Sequence, residues 1–282
     1  MKKPQWITIF TGICLVAFIY LFGKTVPPKK TAAVSPAVAD SYLSGIPTDS
    51  ILSMSKKHLN PEQVMRLNTL ENSVSRGDVK DQQLKVYHSL AHFWKDSARD
   101  FAPYAWYEAQ AARLENSEKS LTFAAHLFLE NLQQDNDPQL IKWKALQARD
   151  LFERSLKINP ENDSAKIGLG AVYLFGNISP NPMEGIALIR KVVEADSTNV
   201  YAQMMLARGS LISGQYDKAI PRLKTVNRVQ PGNLEAILML ADVYERTGDN
   251  DNAITWYRKS LEFINRADAK AEIEKRIQQL MK

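Results

Sequence analysis

One cysteine in 282 residues excludes an intramolecular disulfide and any Cys-rich zinc site. Four histidines leave little room for a multi-histidine metal centre. Glycine and proline, at 12 and 13, are too few for a collagen-like or low-complexity chain. There is no glycine-rich phosphate loop and no Gly-x-Ser-x-Gly elbow. Residues 1–30 contain no Asp or Glu but carry Lys2, Lys3, Lys24, Lys29 and Lys30. Those five account for the whole formal charge of +5, because the other 31 of the 36 basic residues face 31 acidic ones. A body that is formally neutral argues against nucleic-acid binding driven by bulk charge. What is plentiful is apolar side chain, 45% of the chain, enough for a sizeable core.

The longest apolar run comes first. No charge falls between Lys3 and Lys24, and these twenty residues would span roughly 30 Å as a helix, the thickness of a hydrocarbon core. Trp6, Tyr20 and Phe22 lie near its ends, where aromatic rings favour the headgroup level. The run is followed by GKTVPPKK in place of a small-x-small cleavage site, and Ala37-Val38-Ala39 lies too far along. Cys14 lacks the small preceding residue of a lipoprotein site, since Ile13 stands there. The expectation is a tail at 1–4 and a retained transmembrane helix at 5–23. Charge on the two flanks is nearly balanced, and the short MKK start favours an N-inside orientation. That puts the body on the periplasmic side of a bacterial inner membrane, with a cytoplasmic body as the alternative. Residues 24–48, with Pro27, Pro28, Pro36 and Pro47, read as a semi-extended linker.

From residue 49 onward apolar residues recur at three and four, as helices require, and no useful stretch alternates with period two. Asn60-Pro61-Glu62-Gln63 and Asp137-Pro138 mark helix starts. A 34-residue period then appears. Unit 200–233 has Leu206, Ala207, Gly214, Ala219, Leu223, Val226 and Pro231 at positions 7, 8, 15, 20, 24, 27 and 32. Unit 234–267 has Leu240, Ala241, Tyr244, Gly248, Ala253, Tyr257 and Ser260 in register. Small residues at positions 8 and 20 let two helices approach, glycine at 15 ends the first in a left-handed conformation, and proline at 32 stops the second. These units resemble the tetratricopeptide repeat. Unit 163–199 keeps Leu169, Gly170, Tyr173, Gly185, Ile189 and Val192, with three extra residues in its turn at 176–182. A divergent stretch, 83–162, pairs a helix near 84–96 with one holding Ala102, Trp106 and Ala109. It then pairs one near 120–132 with one holding Ala148, Phe152 and Ser155 across an elongated connection. The resemblance implies an all-α chain, a right-handed α-solenoid of helical hairpins. Residues 49–82 would cap its amino-terminal end, and 268–282, with Ile273, Ile277 and Leu280 in one stripe, its carboxy-terminal end.

Candidate chemistry is sparse. His88 and His92 share a helix face, but Ser89 follows the first where zinc sites usually place Glu, and no third ligand is apparent. They read as packing or surface residues, and His126 as a helix-packing residue. Ser53-x-x-Lys56 has the spacing of a nucleophile pair without the rest of such a signature. Trp94, Tyr104, Trp106 and Tyr107 read as core packing before a ligand platform. No enzymatic activity, metal or cofactor is expected.

The resemblance implies an inner groove lined by positions 2, 5, 9, 12 and 13 of each first helix. The strongest candidates are Ile167, Leu174 and Phe175 in unit 163–199, and Tyr201, Met204, Arg208, Leu211 and Ile212 in unit 200–233. Unit 234–267 adds Leu238, Asp242, Glu245 and Arg246. Lys and Asn at positions 5 and 9, with which some members of the family clamp a terminal carboxylate, are absent. The groove reads as apolar in its middle and charged at its carboxy-terminal end, suited to an adaptable apolar protein or peptide partner. The leading expectation is a membrane-anchored scaffold or assembly factor. A self-association module using residues 266–282 is the alternative, and a ligand-binding protein or enzyme comes third.

Overall fold

In the computed structural model, residues 45–74, 79–132, 134–179 and 181–282 are described, and among them helices follow one another with no strand. They are α1 (Thr48–Lys56), α2 (Pro61–Val74), α3 (Lys80–His92), α4 (Phe101–Glu115), α5 (Glu118–Leu132) and α6 (Pro138–Ile158). Then come α7 (Asp163–Phe175), α8 (Met183–Ala195), α9 (Val200–Ile212), α10 (Tyr216–Val229), α11 (Leu234–Arg246), α12 (Asn250–Ser260) and α13 (Ala267–Leu280). A π-helical turn, Phe93–Ala98, extends α3. The transmembrane helix expected at 5–23 and the linker before residue 45 lie outside the described residues. No helix among the described residues is long and apolar enough to cross a membrane.

Five hairpins build residues 80–260: α3–α4, α5–α6, α7–α8, α9–α10 and α11–α12. The second helix of each packs against the first helix of the next, and α5, α7 and α9 also pack side by side. This is a solenoid, because each unit buries its apolar face on its neighbours. The core runs from Ile51 in α1 to Ile277 in α13. A smaller cluster, with Leu67, Leu90, Phe93, Trp94 and Tyr107, joins α2, α3 and α4. Trp94 and Tyr107 are thus core residues, and Arg113 lies over the half-buried Trp106 at 5.4 Å. The α5–α6 hairpin departs from its expected form. Its extra length lies in the 21-residue α6 and not in the connection, because Asp137 caps Gln139 N–H (2.8 Å) and Pro138 starts the helix early.

Three first helices begin in the same way. The side chains of Asn162, Asn199 and Asn233 accept from the backbone N–H of Ala165, Ala202 and Ala236 at 2.9, 3.0 and 3.0 Å. Each satisfies one of the donors that a helix start leaves without an internal partner. Asn199→Ala is expected to destabilise the array by about 1 kcal/mol, read by thermal unfolding followed by circular dichroism. An unchanged unfolding curve would mean that the cap is redundant. The ends are equally regular. Gly214 and Gly248 take φ of 69° and 78° after α9 and α11. The next residues, Gln215 and Asp249, donate back to Ser210 and Tyr244 at 2.8 and 2.9 Å.

Small residues set the crossing of each hairpin. Ala207 with Ala219, and Ala241 with Ala253, are fully buried. In α7–α8 both positions are glycine and the approach is closer. A Cβ on Gly170 would lie 2.6 Å from the Gly185 carbonyl oxygen, and one on Gly185 would lie 2.3 Å from that of Gly170. Next to them, Phe152 of α6 is wedged over Gly168, where a Cβ would lie 2.2 Å from the ring.

α13 closes the array. Its Ile277 is buried, and Ile273 and Leu280 pack against the core. Arg276 donates from Nε to Glu245 Oε2 at 2.9 Å, and the Tyr257 hydroxyl donates to the same oxygen at 2.9 Å. Burial alone would raise the Glu245 carboxyl, but these two bonds bring it below its usual value. Asp135 follows the same pattern with Lys144, and Asp150 with Arg113 and Arg154. Carboxylates held below their unfolded value stabilise the fold above that value, and the contribution is lost as pH falls through the folded one. Unfolding at fixed temperature is therefore expected to set in as pH drops below about 4, the ordinary carboxylate range. A melting temperature that is flat between pH 6 and pH 3 would refute this.

Candidate functional site

Two clefts open along the first helices. The first, of about 620 Å³, lies between the end of α5, the start of α6, the end of α7, α9 and the start of α11. Leu174, Phe175, Leu211 and Met239 form much of its wall, with Leu132 and Ile141 at the α5–α6 side. Ile212 stands at its mouth with 75% of its surface in solvent. The polar groups are Asp135, Arg208 and Glu235. Arg208 Nε donates to Glu235 Oε1 at 2.9 Å, so α9 and α11 are tied across one border. At the other border Asp135 is held by Lys144, whose Nζ lies 2.5 Å from Asp135 Oδ2 and 2.6 Å from Asn131 Oδ1. Lys144 is itself only 4% exposed.

The second cleft, of about 790 Å³, lies toward the amino-terminal ends of α5, α7 and α9. His126 forms its floor, with Nε2 and Ser164 Oγ 2.9 Å apart and the ring edge-on to Phe152 and Tyr201 at 5.1 and 5.8 Å. Burial lowers the pKa of His126, so the neutral ring is favoured. Burial, then Glu130, pushes Tyr201 up to about 12, against an opposing pull from Arg208. Phe123, 54% exposed, stands on its rim.

The twelve groove candidates divide into groups. Leu174, Phe175, Arg208, Leu211 and Ile212 meet in the first cleft, and Ile167 and Tyr201 in the second. Ile167 shows only 1% of its surface. Met204 is 5% exposed and belongs to the core, because the first half of α9, from Ala202 to Ala207, is buried all round. Leu238 packs on the core. Asp242 and Arg246 pair with each other at 2.7 Å one turn apart, outside both clefts. Glu245 is taken by Arg276, because α13 docks where a further repeat would add its first helix. Glu235 lines the first cleft from position 2 of its unit, whereas Leu132, Asp135, Ile141 and Met239 line it from places that match no inner-groove position. Three of them precede residue 163, where the repeat register is too divergent to assign positions. Of the remaining candidates, His88 and His92 face separate carboxylates, Glu108 at 3.4 Å and Asp96 at 3.3 Å. Ser53 is exposed, and Lys56 pairs with Glu71 at 2.8 Å.

A stack of helical hairpins with an open apolar cleft defines an interaction scaffold, a form suited to protein–protein contact. The tetratricopeptide repeat family model matches residues 210–271, from the end of α9 through α12 to the start of α13. That stretch therefore carries a tetratricopeptide repeat. No curated protein matches the chain. Among solved structures, MamA from Desulfovibrio magneticus RS-1 is 20% identical, with 66% of this chain and 96% of that one covered at a TM-score of 0.45. YrrB, a tetratricopeptide-repeat protein with an unusual peptide-binding site, is 16% identical, with 73% and 97% covered at 0.43. A further MamA structure is 15% identical, with 64% and 91% covered at 0.44.

Proposed function

We propose that this chain is a non-catalytic scaffold that holds an apolar helix or extended segment of a protein partner in the cleft between α5, α7, α9 and α11. The observation that carries this reading is the wall of Leu174, Phe175, Leu211 and Met239, with Ile212 75% exposed at its mouth. An isolated exposed apolar residue needs no explanation, but one continuous with an open apolar cleft marks a contact surface. The Arg208–Glu235 pair and Asp135 give the cleft a polar border that would fix a partner's register. In this reading residues 5–23 anchor the chain in a bacterial inner membrane, residues 24–48 act as a tether, and the array stands on the periplasmic side. The self-association alternative has less support. The apolar stripe of α13 that it would use faces inward, leaving Met281, 64% exposed, at the end.

The test is crosslinking of full-length protein in native membranes, followed by identification of what co-purifies. Leu211→Glu with Ile212→Glu is the control. Self-crosslinked species alone, unchanged in the control, would overturn the reading.

A further inference from the structure

A third cavity has a different character. It is a crevice of about 290 Å³ between α8, the carboxy-terminal half of α9 and the start of α10, set in the joint between units 163–199 and 200–233. Leu174, Ile186 and Leu206 supply an apolar floor, and Arg190, Lys218 and Arg222 bring three positive charges to it. Among the described residues no carboxylate lines it.

The charges around those cations are few. Arg222 Nη1 donates to the neutral Gln203 Oε1 at 3.1 Å, and Lys218 Nζ donates to the Gln215 side-chain oxygen. Arg190 has Glu194 one turn away at 3.7 Å, an exposed and loose contact. Asp217 lies in the adjoining surface crevice on the other side of Lys218 and Arg222. Burial first, and the positive charge of Arg190 second, lowers the Arg222 pKa, so the two guanidinium groups lie close enough to repel each other. The Ser210 and Ser213 hydroxyls direct their protons to helix carbonyls, Leu206 O at 2.8 Å and Gly209 O at 3.0 Å. Recognition of a ligand charge would thus fall to the three cations.

A cationic rim over an apolar floor is complementary to one kind of molecule. We propose that this crevice binds a small amphipathic carboxylate, with its anionic end between Arg190, Lys218 and Arg222 and its apolar body along Leu174, Ile186 and Leu206. Guanidinium groups suit this role because they offer paired N–H donors to a carboxylate. Water occupies about 30 Å³ per molecule, so the crevice has room for a body of roughly ten non-hydrogen atoms. A free short-chain acid and the carboxy-terminal residue of a peptide share this chemistry.

The experiment titrates the full chain, in phosphatidylcholine nanodiscs with empty discs as blank, with hexanoate and with N-acetyl-leucine, by isothermal calorimetry. Inorganic phosphate serves as a head-only probe and hexanamide as a body-only probe. Saturable binding of at least one carboxylate is expected, at least tenfold tighter than either partial probe. Preference for hexanoate points to a free acid, and preference for N-acetyl-leucine to a chain terminus. Arg190→Gln with Arg222→Gln should weaken binding at least tenfold. Ser213→Glu, at an exposed helix-end position, should do the same by placing a carboxylate at the rim, and it tests the site if the double variant does not fold. Absence of saturable binding by both carboxylates overturns the proposal, as does equal binding by the folded Ser213→Glu variant.

Discussion

Leu211→Glu with Ile212→Glu is expected to leave helical content unchanged and to abolish partner capture. Ile212 is 75% exposed and Leu211 is half-buried at the open cleft, so two carboxylates there meet solvent in the free protein. In the bound state the same carboxylates would be buried against apolar surface, and Arg208, the cation of this cleft, is already paired with Glu235, so the burial costs several kcal/mol. Even 3 kcal/mol is more than a hundredfold in affinity. Met204→Glu cannot serve as such a probe. Met204 is 5% exposed, and a charge there would disrupt the core before it reported on binding. A folded double variant with wild-type capture would show that the partner sits elsewhere. Loss of folding in the double variant would contradict the exposure on which the cleft is built.

Gly185→Val is expected to be the most damaging single change in the array. The first atom it adds would stand 2.3 Å from the Gly170 carbonyl oxygen, and that neighbour is helix backbone with no rotamer to change. α7 and α8 would have to separate, which opens the fully buried packing of Ile189 and Val192. Such changes fall in the tail above about 4 kcal/mol. Gly214→Ala is the comparison. There φ is 69° with nothing within 4 Å of the added Cβ, so only left-handed backbone strain is incurred, about 1 kcal/mol. If urea unfolding ranks Gly214→Ala as the worse of the two, close backbone approach does not govern this hairpin.

The helical hairpins could be read from residues 163–267 because the repeat places small residues, glycine and proline at fixed offsets, each with a backbone reason. Gly214 and Gly248 adopt the left-handed turns expected of them. The three asparagine caps follow the same offsets, yet helix periodicity alone does not call for them. The cleft was harder to read. Position rules derived from an indefinite array count every first helix alike, but α11 is the last. Its Glu245 is therefore committed to α13, and its Asp242 and Arg246 lie outside the clefts. At the other side the wall comes from Leu132 at a helix end, Asp135 in the connection and Ile141 at a helix start. No repeat position describes a turn, and that turn is shaped by the buried Lys144.

The Thr48 hydroxyl accepts from Trp143 Nε1 at 3.0 Å across 95 residues of chain. Bonds that join neighbouring units span far less, 37 residues for Arg113 to Asp150 and 38 for His126 and Ser164. In kinetic terms the array is a set of small loops and this contact is a single large one. Closing it requires α4, α5 and α6 to be in place beforehand, because the surface that receives α1 does not exist until they are. The docking of α1 therefore depends on the hairpins beneath it, whereas each of those hairpins closes on its own short loop.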